Sequence, residues 1–287
     1  MKILTLGYNL DKQGGGYSFL RNFRKCFKDN LVEAPEECDI YFITSVSMLE
    51  KLSVIPKNKK IVLRVDNILK RSCNRDIYPF EGGKVTMMEA MKILARKADL
   101  VVYQSEWSKD LLDDFLKPNR STVIMNSVDE SIFNPDGARI PTDKEVYFYS
   151  RSSNHDNKQW HKAYYQYQYD FRKNKNSELW ISGRFSPENI PNRFDFFRDE
   201  PIRYLGFVTD PENMACFMRT AKYFYMPYSY DSCSNTLIEN LLCGGDPIVL
   251  DNSGGTQEII DKYGQYGAKF FHLKRMANEY EEMFKMQ

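Results

Sequence analysis

The stretch of sequence that decides the fold is PYSYDSCSNTLIENLLCGGDPIVL, residues 227–250. It follows an apolar run that ends at Met226, and it opens with a polar loop of small residues. The spacing predicts a helix that begins near Ser234 and stops at Gly244-Gly245, and Pro247 opens the next predicted strand. A strand, a short loop, a helix and a second strand in this order predict a βαβ unit of a parallel sheet.

The same alternation of short apolar runs and helical patterns extends along the whole chain. The predicted strands are Ile3–Tyr8, Asp39–Ile43, Lys60–Val65, Leu100–Gln104, Thr122–Met125, Val146–Ser150, Leu179–Ser182, Ile202–Tyr204, Tyr223–Met226 and Pro247–Leu250. The predicted helices are Tyr17–Lys28, Thr86–Ala98, Ser108–Phe115, Trp160–Arg172, Pro211–Thr220, Ser234–Cys243 and Gly255–Tyr263. Because polar turns bound each apolar run, the pattern predicts parallel sheets covered by helices on both faces.

The pattern restarts after residue 145, which predicts two similar α/β domains. Residues 134–141, with two prolines and one glycine, are typical of a linker between them. We therefore predict Rossmann-like domains at residues 1–138 and 139–287 that face one another across a cleft. The tail, Leu273–Met286, is a charged amphipathic helix that could pack back on the first domain. Open sheets of this kind bind ligands beyond the carboxyl ends of their strands, so the cleft is the expected site.

Composition excludes several classes of protein. The 287 residues include 40 Lys and Arg against 39 Asp and Glu, a net charge of +1, and 42% are hydrophobic, which argues against disorder. No window approaches the 18 apolar residues of a membrane span, and the polar start is too short for a signal peptide. The six cysteines form no CxxC pair and there are only three histidines, so we expect reduced thiols in a cytoplasmic protein without a metal site.

The start of the helix near Ser234 is a candidate anion site. The amides of Asn235, Thr236 and Leu237 would be unpaired in its first turn, where a helix carries partial positive charge. Asp231 lies in the loop before this turn, and Glu239 lies four residues after Asn235 on the same helical face. The two carboxylates would accept hydrogen bonds from hydroxyls on either side of a bound diphosphate. An ordinary turn with a serine cap and a solvated glutamate is the alternative.

This segment resembles the donor site of GT-B glycosyltransferases, in particular the large retaining family numbered four. That family has a Glu, seven residues, a second Glu, a small-Gly-x-Pro-Val-Val strand and a Gly-Gly pair. Asp231 stands at the first Glu and Glu239 at the second, and the later elements match Gly245–Val249 and Gly254–Glu258. Three further segments match in the right order, so the resemblance covers nearly the whole chain: Ala98–Ser108, Val123–Pro135 with Ser127 in place of a glycine, and Tyr204–Val208.

The resemblance implies further residues around a bound nucleotide sugar. Arg151 and a following lysine stand where the family places cations against the diphosphate; Lys158 is favoured for the second cation, and Lys162 competes with it. Fixed cations there would stabilise the negative charge that grows on the leaving phosphate. The remaining residues assigned to donor binding are Gly15, Gly16, Gly183, Arg184, Val208 and Ser234, with Asn235, Thr236 and Leu237.

On the acceptor side the resemblance is weaker. The glycines at 14–16 allow close approach to a ligand at a helix start, and Tyr17 follows them. Arg64 and Asp66 end a strand at the same edge and would point towards an acceptor, although Asp66 could also cap a turn. Many relatives carry a catalytic-site histidine in this domain, whereas all three histidines here lie in the second half.

The implied activity is transfer of a sugar from a UDP- or GDP-sugar to a hydroxyl, with retention and with neither metal nor cofactor. We expect the acceptor to be a glycan, a lipid or another cell-surface molecule. The alternative is a hydroxymethylated base of DNA in a phage-type enzyme, since residues 1–140 carry 22 Lys and Arg against 19 Asp and Glu. Basic residues near strand ends of that half are Lys57, Lys59, Lys60, Lys70, Arg71 and Arg75. A second alternative is a GT-B binding module without catalysis. The expected location is the cytoplasm or the membrane periphery. For a phage-encoded protein it would be the cytoplasm of the infected host.

Overall fold

The computed structural model describes residues 1–7, 15–44, 49, 52, 55–66, 77–80, 83–152, 158–184 and 201–286. The chain divides into two compact units, each built on a five-stranded parallel sheet. The first unit comprises Met1–Ser127 and Phe271–Gln287, and the second comprises Val128–Phe270. The predicted α/β class is confirmed.

The first unit has five parallel strands in the order β1-β2-β3-β6-β7 and a separate antiparallel hairpin of β4 and β5. The strands are β1 (Ile3–Leu6), β2 (Ile40–Ile43), β3 (Lys60–Arg64), β4 (Ile77–Phe80), β5 (Gly83–Thr86), β6 (Leu100–Tyr103) and β7 (Ser121–Val123). Its helices are α1 (Gly15–Cys26), α2 (Met87–Lys97), α3 (Glu106–Leu116) and α8 (Leu273–Lys285). Glu89 reaches back to the amide of Thr86 in a capping box, which sets the start of α2.

A strand fragment on the outer side of β1 determines the topology of this sheet. Ile3 pairs with Ile40 of β2 on one side and with Leu31 on the other, and the Val32 amide donates to the Ile3 carbonyl at 3.0 Å. The chain thus passes from β1 through α1 to Leu31 and then returns to β2 across β1. The strand order reverses at this point, so a ligand is expected beyond the carboxyl ends of β1 and β2.

The tail helix α8 completes the core of the first unit. It packs beside α1, where Phe23 stacks on Phe42 with ring centres 4.3 Å apart and meets Tyr280 of α8 edge to face at 5.2 Å. Tyr280 and Met276 are fully buried among these rings. The opposite face of the sheet is covered by α2 and α3, whose buried side chains include Leu94 and Leu112.

The second unit has the strand order β10-β9-β8-β11-β12. Its strands are β8 (Glu145–Ser152), β9 (Ser177–Gly183), β10 (Ile202–Gly206), β11 (Tyr223–Met226) and β12 (Asp246–Val249). Its helices are α4 (Trp160–Lys173), α5 (Pro211–Thr220), α6 (Asn235–Leu242) and α7 (Thr256–Tyr266). The chain runs outward from β8 to β10 and then returns to β11 on the other side of β8. The carboxyl ends of β8 and β11 therefore form the reversal point where a ligand is expected.

The segment interpreted as a linker packs on this second unit. The Arg219 guanidinium donates to the carbonyls of Ile132 and Ala138 at 3.1 Å each, and the Ile140 amide donates to the Thr220 hydroxyl at 2.8 Å. Arg219 is buried in this arrangement. These bonds attach the segment to the end of α5.

Candidate functional site

Helix α6 begins at the reversal point of the second sheet. The Ser234 hydroxyl caps it by accepting a hydrogen bond from the Leu237 amide at 3.3 Å, and the first turn contains no acidic residue. All eight residues from Asn235 to Leu242 are buried. The amino end of the helix therefore carries its partial positive charge without a nearby carboxylate in the same turn.

This cap corrects one detail predicted from the sequence. The Leu237 amide was expected to be unpaired, but it is bonded to the Ser234 hydroxyl. The amides of Asn235 and Thr236 precede the first intrahelical bond, so an anion at this turn would be held mainly by these two groups.

Asp231 is held beside α6 by a second loop. It forms a parallel bridge with Gly254, and its carbonyl accepts the Gly255 amide at 2.8 Å. The Tyr230 amide donates to the Ser253 carbonyl, which extends the pairing by one residue. Gly254 has φ +148, and a Cβ there would lie 2.7 Å from the Asp231 carbonyl oxygen. The close approach of the two loops therefore requires glycine at 254.

The second predicted carboxylate, Glu239, lies on α6 and is only 4% exposed. Asp231 is half-buried in the preceding loop. A charged side chain is seldom this buried without polar contacts.

Lys158 lies at the same edge of the sheet. Its ammonium is 4.2 Å from the ring centre of Tyr228, which belongs to the loop between β11 and α6. The Tyr228 hydroxyl donates to the Ser150 carbonyl of β8, and the Tyr149 hydroxyl donates to the Lys158 carbonyl at 2.9 Å. These contacts join the end of β8, the entry to α4 and the loop before α6. Burial raises the pKa of Tyr149 well above its ordinary value, so its hydroxyl remains a donor.

The competing cation, Lys162, has a different partner. Its ammonium lies 2.7 Å from the Asp251 carboxylate, just after β12. Burial opposes ionisation of Asp251, but hydrogen bonds from Lys162 and Ser253 outweigh it and lower the pKa of the carboxyl group. Arg151 lies on β8, but its side chain is outside the described residues.

Comparison with solved structures identifies the fold. Sucrose-phosphate synthase from Thermosynechococcus elongatus is similar with a TM-score of 0.63 at 14% identity, over 93% of this chain and 77% of that one. TarM from S. aureus in complex with UDP has a TM-score of 0.60 at 13% identity. The similarity covers 85% of this chain and 55% of TarM. The pneumococcal O-GlcNAc transferase GtfA in complex with UDP and GlcNAc has a TM-score of 0.57 at 11% identity. The similarity covers 96% of this chain and 61% of GtfA. The chain has the GT-B fold.

The GT-B fold was predicted from the sequence and is confirmed. No protein-family profile matches the chain, and no curated protein matches it. Because the identities are 11–14%, membership of family four remains a prediction. The chain also spans less than two thirds of the length of TarM and of GtfA.

Three residues assigned to donor binding, Gly183, Arg184 and Val208, lie at the ends of β9 and β10. Gly183 ends β9 with φ +148, and its carbonyl accepts the Tyr204 hydroxyl at 2.7 Å. Arg184 is exposed, and its guanidinium lies 4.7 Å from the ring centre of Phe207. Val208 is half-buried one residue further on. Phe207, 44% exposed, was not predicted, although an exposed aromatic ring paired with an arginine is suited to a planar ligand.

In the first GT-B unit the predicted acceptor residues have different environments. Gly15 and Gly16 are the first residues of α1, and Tyr17 is half-buried in its first turn. Arg64 was expected to point towards an acceptor, but it is 1% exposed, with its guanidinium 3.4 Å from the ring centre of Phe19. Arg64 also forms an ion pair with Asp66, and its role towards an acceptor stays a prediction.

Asp66 belongs to a buried polar network at the carboxyl ends of three strands. Gln104 donates to the Val65 carbonyl at 2.8 Å and to the Asp66 carboxylate at 3.3 Å. Asn126 donates to the Gln104 side-chain oxygen at 3.1 Å and accepts a hydrogen bond from Arg64. The network fixes the edge of the sheet without a histidine.

Three of the six basic residues considered for a polyanionic acceptor lie at the other end of β3. Lys57 and Lys59 precede β3 and Lys60 is its first residue, so they lie at the amino end of the strand. The Lys59 ammonium donates to the Cys38 carbonyl at 2.6 Å. Lys70, Arg71 and Arg75 lie outside the described residues.

Two negative findings apply to the part of the chain that the structure describes. There, no three or more His, Cys, Asp or Glu side chains are grouped as a metal site. None of the helices described is both long enough and apolar enough to cross a membrane.

Proposed function

We propose that the chain is a glycosyltransferase that moves a sugar from a UDP- or GDP-sugar to a hydroxyl of a glycan, lipid or other cell-surface acceptor. One observation carries the proposal. The Lys158 ammonium lies against the ring of Tyr228. Tyr228 belongs to the loop that leads directly to the capped start of α6. A side-chain cation and a helix amino end at one strand edge are suited to a diphosphate.

The fold supports this assignment. The GT-B structures similar to this chain include one in complex with UDP and one with UDP and GlcNAc. The reversal point of the second sheet is where a ligand is expected on topological grounds alone. Lys158, Asp231 and the start of α6 all lie at that point.

The roles of the side chains follow from the charges of the reaction. As the bond from the anomeric carbon to the diphosphate breaks, negative charge develops on the diphosphate. Lys158, Arg151 and the amides of Asn235 and Thr236 would stabilise this charge, since fixed charges need no reorganisation during the reaction. These protein groups would supply the charge stabilisation that a metal ion supplies in other phosphate chemistry.

We assign the two carboxylates to hydroxyl groups. Asp231 would orient the transferred sugar, and the buried Glu239 would accept a hydrogen bond from the ribose. For transfer with retention, the acceptor oxygen forms its bond on the face that the diphosphate leaves. The acceptor proton then passes to the departing diphosphate oxygen, which balances the charge.

Two experiments test the proposal. Thermal-shift measurements with UDP, GDP, ADP and CDP should show a raised melting temperature for at least one nucleotide. Turnover with the matching nucleotide sugars separates a transferase from a binding module, which would bind without reacting.

Substitutions then test the site. We expect Lys158→Met, Arg151→Ala and Glu239→Ala each to lower turnover about 10²–10³-fold, as for loss of one preorganised charge-stabilising group. Lys173→Met is the matched control, because Lys173 lies 4.0 Å from the ring centre of Tyr169 in the same kind of contact on the last turn of α4. Wild-type turnover in all three variants, or no binding of any nucleotide, would contradict the proposal.

A further inference from the structure

The loop before α6 holds Tyr230 in an unusual backbone conformation. Its φ is +53, in the left-handed region that bulky L residues rarely occupy. Among the described residues, two other non-glycine residues have positive φ, Lys117 and Gln159. Lys117 caps the end of α3, where such a conformation is common, and Gln159 is the residue before α4. Tyr230 has no such helix-terminal role.

Pairing with the neighbouring loop holds Tyr230 in this conformation. Its amide donates to the Ser253 carbonyl, and the next residue, Asp231, forms the bridge with Gly254. Residues in such strained conformations persist only where the surroundings hold them, and they concentrate at functional sites.

The effect of this conformation is to expose an aromatic ring. Between Phe224 and Cys243 every residue is buried except Tyr230, which is 49% exposed, and Asp231, which is half-buried. An exposed tyrosine in an otherwise buried segment costs apolar burial as well as backbone strain. Both costs are incurred at the residue next to the carboxylate assigned to the transferred sugar.

We propose that Tyr230 is a specificity-determining residue whose ring packs against the apolar face of the transferred sugar. A pyranose or furanose ring presents hydroxyls at its edge and C–H groups on its face. Asp231 suits the hydroxyls, and the neighbouring aromatic ring suits the C–H face. This inference rests on the proposed function, because it assumes that a nucleotide sugar binds at α6.

The test separates the ring, the backbone conformation and nucleotide binding. Tyr230→Phe keeps the ring, whereas Tyr230→Gly and Tyr230→Asn remove it and tolerate a positive φ. Lys117→Gly is the matched control, since it relieves the same backbone conformation at a helix end in the first unit. For each variant we would measure the melting temperature, the Kd of the nucleoside diphosphate and the KM of the matching nucleotide sugar.

We expect Tyr230→Gly and Tyr230→Asn to raise the KM of the nucleotide sugar about 5–20-fold, consistent with loss of aromatic packing. The Kd of the nucleoside diphosphate should stay within about twofold, and Tyr230→Phe should match the wild type in both. The melting temperature of Tyr230→Gly should equal or exceed that of the wild type, as should that of Lys117→Gly.

The possible failures are distinguishable. If the Tyr230→Gly KM matches that of Lys117→Gly while the nucleotide still binds, the inference is wrong and the proposed function stands. The inference is equally overturned if Tyr230→Phe raises the KM as much as Tyr230→Gly, or if the Kd of the nucleoside diphosphate rises in parallel with the KM. If the wild type binds no nucleoside diphosphate, the proposed function and the inference both fail.

Discussion

Gly254→Ala should destabilise the second unit and displace Asp231. The new Cβ would lie 2.7 Å from the Asp231 carbonyl oxygen and 2.9 Å from its amide nitrogen, distances at which backbone atoms must move. The φ of +148 adds a conformational cost of about 1–3 kcal/mol for a residue other than glycine. The forced contact adds about 1–3 kcal/mol, as for overpacking in a core. The total loss in free energy of unfolding is therefore about 2–6 kcal/mol.

Thermal unfolding followed by circular dichroism measures this loss. At about 2–4 °C per kcal/mol for a domain of this size, we expect the melting temperature to fall by about 4–24 °C. Gly264→Ala is the matched control, because Gly264 lies within α7 and a Cβ there meets nothing within 4 Å. Alanine in a helix interior gains about 0.5–1 kcal/mol over glycine, so this control should melt slightly above the wild type.

The two substitutions are chemically identical and lie ten residues apart. Their opposite effects on the melting temperature therefore test the local geometry alone. A melting temperature of Gly254→Ala equal to that of Gly264→Ala would refute the close pairing of the loops. Reduced turnover of Gly254→Ala in the folded state, below its melting temperature, would further link the pairing to the position of Asp231.

Three further outcomes are expected. Asp251→Asn should cost about 1 kcal/mol or less at neutral pH. Because hydrogen bonds lower the pKa of Asp251, its stabilising effect is present above its ordinary pKa and is lost as the pH falls through the lowered value. Urea titrations should therefore show the wild type and Asp251→Asn converging below about pH 4. Gly245→Ala should destabilise the protein, because its Cβ would lie under 3.0 Å from the buried side-chain amide of Asn240. Asn240→Ala should restore part of the lost stability, so a double-mutant cycle should give a coupling energy of about 1–3 kcal/mol. Phe23→Ala should cost about 3–5 kcal/mol by equilibrium unfolding, because Phe23 is fully buried between Phe42 and Tyr280.

Most helices and strands could be predicted because the hydrophobic periodicity agreed with the capping residues, glycines and prolines at their ends. Strand β11 and helix α5 have the predicted bounds, since Asp210 caps α5 and a proline opens it. The start of α3 was placed two residues late, because its capping box joins Ser105 to Ser108 rather than to a glutamate. The β4–β5 hairpin was missed; Pro79 lies within β4, and a proline argues against a strand.

Other features depend on contacts that a linear sequence does not show. The pairing of Leu31 with Ile3 is a single bridge, too short to produce a strand pattern, yet it sets where the first sheet reverses. In the sequence Arg64 is a polar residue at a strand end. In the structure its guanidinium contacts Phe19 and Asn126, which come from distant segments. The conformation of Tyr230 has no sequence signal, because the usual marker of a positive φ is glycine or asparagine.

The choice between Lys158 and Lys162 shows what the structure adds to a motif. Both lysines follow Arg151 in a polar segment, and the sequence favoured Lys158 for the second cation with Lys162 as its competitor. Lys162 makes an ion pair with Asp251, so recruiting it to a diphosphate would break a charge-assisted hydrogen bond of 2.7 Å. Lys158 instead lies on the face of Tyr228, a contact that attracts the cation without supplying a negative charge. Recruiting Lys158 to a diphosphate beside α6 would leave the ion pair between Lys162 and Asp251 intact.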